Sequence, residues 1–293
     1  MGTITFLIQC LNALQHGLLL FLVASGLTLI FGIMGIINLA HGSFYMIGAY
    51  MAFALNPLVE RWFGGGFVMT LLVCIALATV LGYVLEAAFF SYLYRRDHLQ
   101  QVLMTYGLIL VFEEARSLLV GNDVHGVPVP AWLAGSIPLG DVMTYPVYRL
   151  FISAIGIGVA LLLYWVLTRT RLGMMVRAGA SNREMIGSLG VDINRLYRIV
   201  FAAGVALAAL AGTIAAPVSS VYPGMGNGVL IMCFVVVVIG GIGSIRGAFL
   251  AAMLVGAVET FGQVLFPSAA GILVYVLMAV ILLCKPEGLF KQG

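Results

Sequence analysis

The stretch Gly32-Ile33-Met34-Gly35-Ile36-Ile37-Asn38-Leu39-Ala40-His41-Gly42-Ser43-Phe44 breaks a long apolar region. Two glycines come close together, and then Asn38, His41 and Ser43 place three polar side chains where the neighbours avoid water. Apolar runs at about 6–31 and 35–56 flank and overlap the break. Runs of that length suit a bilayer, where polar side chains at depth face a cavity or another helix. The glycines let the backbone bend, which frees N–H and C=O groups to meet a polar ligand. Interhelical hydrogen bonding without a role in transport is the alternative reading.

Working outward, the whole chain fits the same solvent. Of 293 residues, 62% are hydrophobic and only 9% charged, with a mean hydropathy of +1.13. Soluble proteins carry roughly 25% charged residues, so this chain lacks the polar groups to cover a soluble domain. Seven further apolar runs follow at about 67–93, 101–120, 147–168, 196–218, 228–241, 247–266 and 270–284. The reading is therefore an all-α, polytopic bundle of about eight or nine membrane segments at ~20 residues each, forming a single transmembrane domain over 1–293. The start Met1-Gly2-Thr3-Ile4 has no Lys or Arg, the first basic residue being Arg61, so Phe6 onward reads as a retained segment and not a cleaved signal.

The short run before Gly240-Gly241-Ile242-Gly243 resembles the first break, and both read as broken or re-entrant segments. A shift of 205 residues lays Gly35–Phe44 over Gly240–Phe249 with four of ten positions identical. Such an internal repeat, with glycine breaks at matching places, points to a substrate path near the bilayer midplane. Asn38, His41, Gly42, Ser43, Gly240, Gly241, Gly243 and Ser244 are the candidate path residues.

Positive charge sets the orientation. Six arginines against Glu184 and Asp192 give 169–198 a net charge of +4, whereas the whole chain is +3. That segment reads as cytoplasmic, with Arg95-Arg96 and the tail bearing Lys285 and Lys291 on the same side. The stretch 121–146 has no Lys or Arg, contains Asp123 and Asp141 and carries four prolines, so it reads as an external loop. Alternation from these anchors puts the C-terminus inside, and the N-terminus outside if 32–35 is a true turn.

Within the basic segment, Thr170–Asp192 is too long and patterned for a simple turn. Met174, Met175, Ala178, Met185, Ile186 and Leu189 give two short amphipathic patches, broken near Gly179–Ser181, with Arg177 and Glu184 on more exposed faces. This is a short helix-turn-helix at the membrane surface: either a topology-setting loop or a docking element for a cytoplasmic partner.

The remaining polar residues divide simply. Glu113 and Arg116 are spaced to pair at i,i+3. Glu86 and Glu259 lie inside spans, where either would serve a proton-coupled carrier. Gly204, Ala208, Gly212 and Ala216 form a small-residue face for close helix packing, within the chain or against a partner. Cys10, Cys74, Cys233 and Cys284 show no metal-ligand spacing, nor do His16 and His41, so no metal is expected.

Gly26-Leu27-Thr28-Leu29-Ile30-Phe31 together with 32–44 resembles the opening of bacterial branched-chain amino acid ABC transporter permeases of the LivH type. Arg177-Ala178, Asn182, Glu184 and Gly190 resemble that family's cytoplasmic coupling loop. Gly240–Ala248 and the closing Pro286-Glu287-Gly288-Leu289-Phe290 also match, in order, over nearly the whole chain. The resemblance implies an importer subunit of the bacterial inner membrane that passes aliphatic amino acids. It implies a second homologous permease in a heterodimer, two ATPase subunits inside and a periplasmic binding protein. A loop over 169–195, with Arg171 among its residues, would couple to the ATPases. It implies no cofactor on this chain, ATP being used by the partners, and no nucleic acid.

The residues agree with that scheme. No Gly-x-x-x-x-Gly-Lys-Ser/Thr occurs, so no Walker A loop binds ATP here and energy comes from a partner or an ion gradient. No Gly-x-Ser-x-Gly or His-Glu-x-x-His argues for an enzyme. The competing class is a stand-alone ion-coupled carrier of a small amino acid or amide.

Overall fold

The computed structural model describes residues 2–63, 66–94, 96–138, 143–188 and 190–290, except for the side chains of residues 63, 183 and 184. Arg95, Asp141, Leu189 and Lys291, and the side chains of Arg183 and Glu184, therefore lie outside the described residues.

In an apolar medium each backbone N–H and C=O must find its partner within the chain, and an uninterrupted apolar run does so as a helix. The helices are α1 (Thr3–Met34), α2 (His41–Phe63), α3 (Gly66–Leu93), α4 (His98–Val120), α5 (Val147–Arg169), α6 (Arg171–Ser181), α7 (Arg183–Ser188), α8 (Ile193–Ser219), α9 (Met225–Gly240), α10 (Ile245–Leu265) and α11 (Ala270–Cys284). Each of the nine apolar runs lies largely on a helix, the run 35–56 only from His41 onward. Among the described residues, α1, α2, α3, α5, α8 and α10 are long and apolar enough to cross a membrane. Helices α9 and α11 are apolar but shorter, and α4 carries Glu113, Glu114 and Arg116.

Helices α1 and α8 form the centre, antiparallel and largely buried. A Cβ on Gly204 would press on Ile30 and the Gly26 carbonyl, and one on Gly212 would collide with the Tyr45 carbonyl. Ala208 and Ala216 are fully buried. The small-residue face of α8 is thus spent inside the chain, against α1 and α2, where dispersion contacts accumulate between backbones at close range.

The first break is a re-entrant return. Gly35 ends α1 in the left-handed conformation at φ 66°. The irregular segment 35–40 then doubles back, because His41 Nε2 lies 3.0 Å from the carbonyl of Val23. Val23 stands eleven residues before the end of α1, so α2 starts about 16 Å inside the bundle. A second return lies at 220–224 after α8. Helix α9 starts there, and Gly226 meets Gly42 so closely that a Cβ on either would strike the other's carbonyl. Two helices therefore begin side by side in the interior.

The segment 240–249 has different surroundings from 35–44. It forms the turn from α9 to α10, about 21 Å along α9 from Gly226 by helical rise. The C-terminal stretch packs on it: Leu289 and Phe290 donate N–H bonds to the carbonyls of Ile239 (2.8 Å) and Gly240 (3.2 Å). The putting together of 35–44 and 240–249 by sequence shift thus pairs an interior segment with a terminal turn.

The loop 121–146 is not purely irregular. It holds a short 3-10 turn at Ala131–Leu133 and a small antiparallel hairpin, β1 (Ser136–Pro138) with β2 (Thr144–Pro146). His125 and Val221 exchange backbone hydrogen bonds of 2.8 and 2.7 Å, tying this loop to the second return segment. An all-α reading misses the hairpin because three-residue strands rimmed by prolines leave no alternation to detect.

Candidate functional site

Asn38 and His41 are both 0% exposed, and Ser43 is buried beside them. Asn38 Oδ1 accepts from the backbone N–H of Ala40 at 3.1 Å, which holds the tight approach to α2. Its Nδ2 has no partner, and neither does His41 Nδ1. An unpaired buried polar atom costs about 1–3 kcal/mol; Tyr50 Oη, Gln101 Oε1, His125 Nε2 and Tyr145 Oη are also without a partner among the described residues, and Asn38 and His41 differ from them in standing together at the break between α1 and α2. They lie where α2 and α9 begin. Helix N-termini present the positive end of the dipole, although the N–H groups of His41 and Ser43 already donate to Asn38 and Ala40, and those of Met225 and Asn227 to Tyr222 and Gly224. The interior thus combines an amide donor, an imidazole and two helix starts, an arrangement suited to a carboxylate.

The candidate path residues are not all brought together. Asn38, His41, Gly42 and Ser43 share the interior with Gly226. Gly240, Gly241, Gly243 and Ser244 lie at the far end of α9. There a Cβ on Gly241 would collide with the Phe290 carbonyl, and Ser244 caps α10 by accepting from Gly247 N–H at 3.1 Å. Gly240 and Gly241 therefore seat the C-terminal stretch. Gly243 and Ser244 instead line a cavity of about 710 Å³, together with Arg177.

The basic segment is two helices, as its pattern predicts, but the break falls at Asn182 and the buried face differs. Thr170 caps α6 by accepting from Gly173 N–H at 3.2 Å. Asn182 Oδ1 accepts from Met185 N–H at 3.0 Å and starts α7. Gly173 and Gly179 are buried, and a side chain at 173 would strike the end of α5. The glycines thus take the inner face. Met174 (57% exposed) and Met185 (62%) point outward, as does Ala178, while Ile186 is buried. Glycine permits the closest approach between helices, which is why Gly173 and Gly179 and not the methionines take the buried side. Arg171 opens α6, Arg177 is exposed, and Gly190 turns the chain into α8 at φ 85°.

Among the described residues, three carboxylates meet basic side chains elsewhere. Arg116 meets Glu113 at 3.2 Å, as the i,i+3 spacing predicts. Glu86, fully buried in a π-helical turn of α3, meets Arg198 of α8 at 3.1 Å and accepts from Tyr94 Oη. Glu259 meets His16 at 2.9 Å across α10 and α1. The last two partnerships span 112 and 243 residues, so no local pattern signals them. The hint in the sequence is only that each carboxylate needs company in an apolar run.

Together these features define a multi-pass membrane protein with re-entrant breaks and a basic two-helix element at one end. The chain belongs to the family described as branched-chain amino acid transport system, permease component, whose model matches residues 9–284. It is similar to the high-affinity branched-chain amino acid transport system permease protein BraD of Pseudomonas aeruginosa, at 30% identity over 98% of this chain and 96% of the relative. The LivH proteins of Salmonella typhimurium and Escherichia coli K12, named likewise, are each 27% identical over 98% of this chain and 96% of theirs. Among solved structures, PsaBC from Streptococcus pneumoniae in complex with Fab matches at a TM-score of 0.48 and 12% identity, over 93% of this chain and 89% of that one.

Proposed function

We propose that this chain is one permease subunit of an ABC importer in the bacterial inner membrane and passes branched-chain amino acids. A second, homologous permease completes a heterodimer. Two ATPases bind at the arginine-rich end, and a periplasmic binding protein delivers the solute at the other. The nine apolar helices cross with the N-terminus outside and the C-terminus inside, as one permease domain over 1–293, with 121–146 external. The internal repeat is the 205-residue shift that lays 35–44 over 240–249, each a glycine-broken junction between two apolar helices. No cofactor binds this chain.

The observation that carries the coupling role is the two-helix element 171–188 with its outward methionines. Flexible, polarisable Met174 and Met185 beside Ala178, rimmed by Arg171 and Arg177, suit a partner that moves. Asn182, Glu184 and Gly190 complete the coupling loop. For the solute, the α-carboxylate of an amino acid would meet the Asn38 amide, His41 and the starts of α2 and α9, with Gly42 and Ser43 supplying backbone. Glu86 and Glu259, which an ion-coupled carrier would free for protons, are each engaged, and family membership does not favour that alternative.

The assembled importer tests the coupling role. Arg177→Glu and Gly190→Pro should leave membrane insertion intact but reduce ATP-driven uptake at least about tenfold, because a charge reversal at an interface costs several kcal/mol. Normal transport by both variants would remove the assignment.

A further inference from the structure

We infer that the cavity between α1, α5 and α10 is a binding site for one anionic phospholipid of the leaflet at the arginine-rich end. Helices α5 and α10 both pack on α1, and the furrow between them is closed at one end by α6. Its volume, about 710 Å³, falls within the range of dedicated ligand sites. Phe21, Leu161 and Phe249 are among its apolar lining. Leu161 is 64% and Tyr164 55% exposed, so the furrow opens sideways, on faces that look toward lipid.

The charges are confined to one end. Arg177 from α6 and Arg246 from the first turn of α10 line the cavity, and among the described residues no carboxylate lines it. Arg246 is placed by Tyr164, its guanidinium carbon 5.7 Å from the ring centroid. Neither arginine has an ion pair among the described residues. The start of α10 adds backbone N–H groups at the same end, although Ser244 already caps Gly247. A long apolar slot with cations at its mouth complements an acyl chain below an anionic headgroup. A free amino acid, with both charges beside a short side chain, would leave most of the slot empty. A second permease would have to insert an acidic, finger-like projection into it. The inference uses the orientation proposed above only to name the leaflet as the cytoplasmic one.

The test is lipid retention by the intact importer, extracted in mild detergent from membranes containing phosphatidylglycerol and phosphatidylethanolamine and examined by native mass spectrometry. The expected result is a retained phosphatidylglycerol on this chain. Arg246→Ala should lower its retention about fivefold, the effect of one basic residue near an anionic surface, and Ala160→Trp should displace it by filling the slot. A Tyr164→Trp reporter in a Trp165→Phe background provides a second reading, with brominated phosphatidylglycerol quenching it more than brominated phosphatidylethanolamine. Equal retention by wild type and Arg246→Ala, equal quenching by the two lipids, or crosslinking of Leu161→Cys to the second permease would each overturn the inference. None of these readouts depends on transport, so they stand or fall apart from the proposed function.

Discussion

At the residue scale, the interior is governed by a glycine contact and an unsatisfied amide. Gly42 and Gly226 touch through backbone alone, so Gly42→Val should destabilise the protein by about 1–3 kcal/mol, the usual penalty for overpacking. Thermal unfolding in detergent would register it, with Gly107→Ala, where a Cβ meets nothing, as the unaffected control. Asn38→Leu separates structure from function. It forfeits one hydrogen bond to Ala40, worth about 1 kcal/mol, but also removes the unpaired Nδ2. The expected outcome is a modest stability change with at least about a tenfold loss of uptake, as for a lost charge-assisted contact. A purely structural Asn38 would lose stability and keep its uptake per folded molecule. That Asn38 and His41 matter was legible from their polarity within an apolar run. Their neighbour Gly226 was not, because a contact between two glycines leaves no trace in either one's local sequence.

At the element scale, α3 and α8 are joined by a buried charge. Glu86 is fully enclosed, and Arg198 reaches it from a third-exposed position. Removing the cation alone strands the carboxylate, whereas removing both charges does not. Arg198→Leu should therefore cost more stability than the double variant Glu86→Gln/Arg198→Leu, and a double-mutant cycle would reveal the coupling. The pair sits one turn into α8, just after the basic two-helix element, so it also anchors that element to the bundle. The helical character of 171–188 was legible from its periodicity. Its orientation was not: Gly173 and Gly179 take the inner face, and hydrophobicity patterns give glycine no weight. The break at 240–243 is there, with Gly241 and Gly243 at φ 94° and 79°, but it is a turn and not the second return. Glycine-rich turns look alike in sequence, while the actual return at 220–224 is made by Ser220 at φ 59° and the bridge to His125.

At the scale of the whole molecule, the apolar runs were nearly a map of the helices, because a bilayer enforces helical backbone wherever a run is long and uncharged. The long-range pairings Glu86–Arg198 and His16–Glu259 became visible only once the bundle was assembled. The asymmetry of positive charge predicts that Cys284, exposed at the end of α11, faces the cytoplasm. In a Cys10→Ala background, a membrane-impermeant maleimide should label it in inverted vesicles and not in intact spheroplasts. The central claim is that this chain is a conduit moved by ATPases. Uptake of a labelled branched-chain amino acid into proteoliposomes tests it most directly, comparing this chain alone under an imposed proton or sodium gradient with the full set of permeases, ATPases and binding protein supplied with ATP. The account predicts accumulation only in the complete, ATP-fed system; gradient-driven accumulation by this chain alone would contradict it.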